Sequence, residues 1–206
     1  MKWADIWGRF VPPRIVIYAD FIDPFCYIGF HNARRAAADA GIGLEWRGFE
    51  LNPDTPREGS FLLTAVNSDI RPGMWASVRD YAKKSGLTLS EPTQVPNTRL
   101  VHLWVRSLPN GDVKKSLIER IYQAYLSDKK DIGNMSVLLE IAREFGLTER
   151  PLRDLVGQTD SSALEKCRQE ALAYQFPGMP GFRVRNKSYF GALSEEAWKT
   201  ILKETV

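Results

Sequence analysis

The segment that most constrains this chain runs from Ile15 to Gly29. An apolar run, Ile15 to Ala19, is followed by a short polar turn and then by Asp23-Pro24-Phe25-Cys26-Tyr27-Ile28-Gly29. The run reads as a buried strand, and the text after the turn reads as a helix opening at Pro24. Ile28, Ala33, Ala36, Ala37 and Ala40 form an apolar stripe, and Gly41 ends it. Leu44 to Phe49 then alternates and reads as a second strand. Strand, helix and strand within fifty residues predict a parallel pair joined by a right-handed crossover.

The remaining chain changes character twice. Leu51-Asn52-Pro53 and Pro56 interrupt regular structure, and from Ser68 to about Phe176 the text is mostly helical. Expected helices run from Met74 to Ser85, from Asn97-Thr98 to Leu108, from a cap at Asp112 to Leu126, and from Met135 to Phe145. Shorter ones begin at Thr148 and at Ser161 or Ser162. Strand character returns at Gly181 to Arg185 and Ser188 to Phe190, and Ser194 caps a terminal helix. Distant strand-forming segments must complete one sheet, so a helical segment is expected within an α/β host.

Composition narrows the function classes. The 206 residues include 28 basic and 25 acidic side chains, a net charge of +3. That balance, without a Lys/Arg-rich block, does not suit a nucleic-acid binder. Arg34-Arg35 and Lys114-Lys115 read as solvated helix faces. No apolar run approaches the roughly 18 residues of a membrane span. The first residues mix Asp5 and Arg9 with aromatics and lack a signal-peptide core, so the expected compartment is the cytoplasm. Two cysteines, Cys26 and Cys167, do not make a disulfide framework. Phosphate-binding glycine loops, H-E-x-x-H and G-x-S-x-G are all missing. His102 stands without a second ligand at metal spacing, so no metal is expected, and His31 reads as exposed.

Several strings carry a resemblance. Asp20-Phe21 with Pro24-Phe25-Cys26-Tyr27-Ile28-Gly29, Trp46 to Pro53, Asn97-Thr98 with His102, Tyr122 to Leu126 with Asp131-Ile132-Gly133, and Gly178 to Phe182 occur in order. They resemble the DsbA-like branch of the thioredoxin superfamily, in particular the FrnE-type DsbA homologues, 2-hydroxychromene-2-carboxylate isomerases and kappa-class glutathione transferases. The resemblance implies an α/β thioredoxin fold with a large all-helical insertion. Residues 14–56 and 177–206 would form the thioredoxin-like part, 57–176 the insertion, and 1–13 an extension. It also implies a cis bond before Pro180, a substrate-facing backbone at Met179, and Asn52 near a bound ligand. Redox members carry C-x-x-C at the turn, and the isomerases and transferases carry serine at its first position. Here the spacing is D-x-x-C, from Asp23 to Cys26.

Asp23 before Pro24 is a favourable helix cap, and it is also placed to orient or deprotonate a ligand. Cys26 lies in the first helical turn, where helix-end electrostatics favour a thiolate and the nearby Asp23 charge offsets that effect; packing against the sheet is its other reading. Without the first cysteine, dithiol exchange is not expected. The leading expectation is a glutathione-linked isomerase or transferase acting on a small molecule. Its catalytic candidates are Asp23 and Cys26. Its substrate-binding candidates are Pro24, Phe25, Asn52, Met179 and Pro180. The alternatives are a thiol-disulfide oxidoreductase using Cys26 alone on a thiol substrate, and a catalytically silent module holding a peptide or partner. The resemblance also admits a homodimer, with Trp3, Trp7 and Phe10 against a partner or over the core.

Overall fold

The computed structural model describes residues 13–61, 71–156 and 161–205. Trp3, Trp7 and Phe10 lie outside them. The first strand, β1 (Arg14–Ala19), pairs in parallel with β2 (Gly43–Gly48) through α1 (Pro24–Asp39). On its other side β1 pairs antiparallel with β5 (Gly181–Val184), which turns back as β6 (Lys187–Phe190). The sheet order is β2-β1-β5-β6. The terminal helix, α8 (Glu195–Thr205), packs on α1.

Between β2 and β5 the chain forms α2 (Arg71–Lys84), α3 (Arg99–Ser107), α4 (Asp112–Leu126), α5 (Met135–Glu144), α6 (Arg150–Asp154) and α7 (Ser162–Ala173). A two-residue ladder between β3 (Ser60–Phe61) and β4 (Gln94–Val95) is the insertion's strand structure among the described residues. The arrangement is the expected α/β thioredoxin fold with a helical insertion.

The strand β1 reads as continuously apolar because both of its faces are covered. Ile15, Ile17 and Ala19 enter the main core, whereas Val16 and Tyr18 face a smaller cluster with Phe49, Ala171 and Phe176. Ala171 comes from α7, so that helix closes the second face. The main core is continuous from the sheet into the insertion, through Leu117, Ile121, Leu138 and Leu152. Tyr27 stacks on Tyr122 with ring centroids 4.9 Å apart, and Phe21 lies 5.0 Å from the same ring. Such pairs add about 0.5–1.5 kcal/mol each beyond burial.

Three sequence expectations change. Ala40 is exposed at the end of α1, while Cys26, Tyr27 and Phe30 are buried with the stripe because the insertion covers a second side of the helix. Gly111, not Asp112, occupies the cap position of α4. Lys114 is buried rather than solvated, its Nζ donating to the Leu108 carbonyl at 3.1 Å and Asn110 Oδ1 at 3.2 Å. Arg34 is likewise partly buried and paired with Glu119.

Gly29 is where the loop before β5 meets α1. A Cβ there would lie 2.9 Å from Pro180 Cγ and 3.1 Å from Phe182 Cζ. Neither ring has room to retreat, since Pro180 and Phe182 are both buried. Gly29→Ala should therefore destabilise the fold by about 1–3 kcal/mol, read as a lower urea midpoint with an unchanged slope.

Candidate active site

The turn after β1 is organised by two aspartates. Asp23 is the N-cap of α1, with extended backbone (φ −95°, ψ 117°), and Pro24 follows in the first helical turn. Its Oδ1 accepts the Phe25 N–H at 2.9 Å, which satisfies one unpaired donor of the helix start. Its Oδ2 accepts the Cys26 S–H at 3.2 Å. Cys26 is fully buried. Both roles foreseen for these residues, cap and packing, are thus present, and a hydrogen bond joins them.

The electrostatics run against a reactive thiol. Burial, and then the neighbouring Asp23 charge, push the Cys26 thiol well above its usual range. A helix N-terminus typically contributes 0.3–1 kcal/mol to an anion, whereas full burial can shift a pKa by up to 3–5 units. The expectation that the helix end favours a Cys26 thiolate is therefore corrected: burial and the carboxylate win. Asp23 is itself shifted. Burial raises it from an ordinary 3.8 to about 6, the hydrogen bonds from Cys26 and Phe25 offsetting part of the rise.

Asp20, three residues upstream, is fully buried. Its Oδ1 accepts the Phe21 N–H at 2.7 Å and lies 3.0 Å from His102 Nε2, and its Oδ2 accepts the Leu51 N–H at 2.7 Å. The Tyr122 hydroxyl donates to the Asp20 backbone carbonyl at 2.9 Å. His102 Nδ1 has no partner, so a proton on Nε2 gives Asp20 its third donor. Sequence reading left His102 as a lone histidine; its partner lies 82 positions away, and no local pattern announces the pair.

The other candidates fall in three places. Phe25 is half-buried and packs edge-on against Tyr81 of α2, with ring centroids 5.7 Å apart, so the insertion reaches the turn. The Met179–Pro180 bond is cis, and the Pro180 ring sits over Gly29, one turn along α1 from Cys26. Among the described residues, the Met179 N–H and C=O make no hydrogen bond. Asn52 is exposed, and its carbonyl accepts the Thr55 N–H and hydroxyl at 3.1 and 2.9 Å. Its position follows from its neighbour Leu51, which is tied to Asp20.

One further reading is corrected, and the second cysteine is located. His31 is partly buried, its Nδ1 2.7 Å from Glu119 Oε1. Cys167 is buried at the helix–sheet interface, its sulfur 3.6 Å from Arg106 Nη1. Both cysteines are free thiols, so Cys167 does not replace the missing partner of Cys26. Among the described residues no cluster of three or more His, Cys, Asp and Glu could hold a metal ion, and no helix is long and apolar enough to cross a membrane.

A cap-bearing strand–turn–helix, a facing cis-proline loop and a helical insertion together define a familiar frame, and the sequence profile of the DSBA-like thioredoxin domain matches residues 14–203. The chain belongs to that family. Solved structures share the fold across nearly the whole chain. A "probable DsbA oxidoreductase" from Streptomyces coelicolor superposes with a TM-score of 0.82 at 20% identity, covering 94% of this chain and 89% of the other. A 2-hydroxychromene-2-carboxylate isomerase gives 0.72 at 13% identity over 87% and 89%. The cytosolic disulfide reductase DsbM of Pseudomonas aeruginosa, solved with GSH, gives 0.61 at 17% identity over 93% and 98%. Solved proteins named as an oxidoreductase, an isomerase and a disulfide reductase thus share this chain's fold. Within it, this chain's turn offers a carboxyl group and a protonated thiol.

This geometry predicts that neither cysteine reacts readily with Ellman's reagent in the folded protein. Both should react at least ~100-fold faster in guanidinium, as thiolate access is restored. A fast phase of one thiol per chain under native conditions, lost in Cys26→Ala, would contradict the site as described.

Proposed function

We propose that this DSBA-like protein is a cytoplasmic enzyme that has left dithiol exchange and acts on a small molecule as a glutathione-linked isomerase or transferase. The observation that carries the reading is the Asp23 carboxyl group. It stands where dithiol relatives hold their first cysteine, and burial brings it to about 6, close to neutral working conditions. General bases and acids are most effective when their pKa lies near the operating pH. Cys26, protonated and donating to Oδ2, acts as a positioning residue that fixes the carboxylate rather than as a nucleophile.

The uncommitted N–H and C=O of Met179 beside cis-Pro180 support a glutathione site. An extended peptide such as glutathione pairs with a free backbone edge of this kind. The isomerase with the same fold and the disulfide reductase solved with GSH support the same direction. A carboxylate beside the bound thiol opposes a preformed thiolate by like charge. The proton therefore leaves as the sulfur attacks. The S–H bond breaks toward Asp23, an S–C bond forms, and the substrate's displaced electron pair takes the proton back from Asp23. A transferase stops at that adduct. An isomerase re-expels the thiol after rotation about the bond that addition has made single. A cysteine thiol near 8.5 facing a base near 6 makes a separate proton transfer uphill by about 3 kcal/mol, which transfer concerted with attack avoids.

Calorimetric titration of reduced glutathione tests the reading. Saturable binding in the millimolar range is expected for the wild type and for Cys26→Ala. For an accepted substrate, kcat/KM should rise with pH through about 6, as Asp23 becomes the base. Asp23→Asn should abolish that limb and lower turnover by ~100-fold or more while glutathione still binds. Absence of glutathione binding in both proteins, or unchanged turnover in Asp23→Asn, would overturn it.

A further inference from the structure

A separate cleft lies elsewhere, on the helical insertion. It encloses about 760 Å³, and neither Asp23, Cys26, Met179 nor Pro180 lines it. That volume falls within the range of small-molecule sites. Three guanidinium groups, Arg57, Arg99 and Arg153, border a wall formed by apolar residues including Leu100, Leu103 and Met135. Among the described residues no acidic side chain lines the cleft.

Among the described residues the charges do not balance locally. Arg99 is held by Glu50 at 3.2 and 3.4 Å and by the Pro53 carbonyl at 3.1 Å. Arg153 pairs with Glu149, which also serves Arg143. Arg57 makes no hydrogen bond or ion pair with any described residue. Three cations at the cleft thus meet two carboxylates, one of which a fourth cation shares. The first residues of α3 (Arg99, Leu100) and of α5 (Met135) also line the cleft, and helix N-termini add positive potential there. A guanidinium fork suits a carboxylate or phosphate, and the apolar wall suits a hydrocarbon body.

From these features we infer that this cleft is a second binding site, for a small organic anion with one carboxylate or phosphate head and an apolar body. Arg57 receives the head, with Arg99 and Arg153 as flanking charges. The apolar body lies against Leu100, Leu103 and Met135. The inference is independent of the chemistry at Asp23.

Titration of the full chain with octanoate and with octyl phosphate tests it, with octanol and inorganic phosphate as controls. At least one amphipathic anion should bind saturably at one per chain, and each control at least tenfold more weakly. The better of the two anions names the head group. Arg57→Glu should weaken binding at least tenfold, and Arg57→Lys should retain it within about threefold. Because Arg57 is exposed and pairs with no described residue, both variants should fold, checked by circular dichroism. Asp23→Asn should leave binding unchanged. No saturable binding of either anion, binding unaffected by Arg57→Glu, or binding lost in Asp23→Asn would each overturn the assignment.

Discussion

The Asp20 carboxyl group holds the two parts of this molecule in register. Its two oxygens collect donors from the turn after β1, from the segment after β2 and from α3, while its backbone carbonyl takes the α4 tyrosine. A fully buried acid is tolerable only when its hydrogen-bonding capacity is met, and here three donors meet it. Gly48 makes the arrangement possible: a Cβ there would fall 2.5 Å from His102 Nδ1. The sheet therefore gives way at one residue so that the imidazole can reach Asp20. Removing one partner of such a buried set leaves the other uncompensated, the costly case for buried polar networks.

That anchor sets the geometry three residues later. With Asp20 and Phe21 fixed, the chain enters α1 at one angle, and Asp23 caps the helix while taking the Cys26 thiol proton as a hydrogen bond. The same burial that silences the thiol raises the carboxyl group. The stability linkage has a definite sign. Because the folded value is raised from 3.8 to about 6, the cost of the buried charge is absent below the lower value and complete above the higher one. That cost amounts to at most about 3 kcal/mol at neutral pH. The cap hydrogen bond to Phe25 offsets part of that cost, and the proposed role of Asp23 as a base gives a reason to carry the rest.

Much of the frame was legible in the sequence, because it rests on local rules. The β1, α1 and β2 periods, the Asp-Pro cap and the Ser194 cap follow from residues within a few positions of one another, and the Ala197 N–H does reach Ser194 Oγ at 3.1 Å. The D-x-x-C spacing also marked the turn where Asp23 and Cys26 meet. What could not be read are pairings across long separations. His102 with Asp20 and His31 with Glu119 depend on how helices of the insertion lie on α1 and β2, as does the burial of Lys114, whose hydrogen-bond partners are themselves local. The reversal at Cys26 belongs to the same class. A helix-end argument is local, whereas the burial that outweighs it comes from residues a hundred positions away, among them Tyr122, whose hydroxyl reaches the carbonyl of Asp20.

The central claim is that Asp23 is a partly buried carboxyl group able to exchange a proton near neutral pH while Cys26 remains a thiol. Carbon-13 NMR of the aspartate carboxyl carbons, followed from pH 3 to 8 and assigned with Asp23→Asn, measures it directly. The account predicts that the Asp23 resonance titrates with a midpoint near 6. A midpoint at the ordinary aspartate value of 3.8 would contradict it.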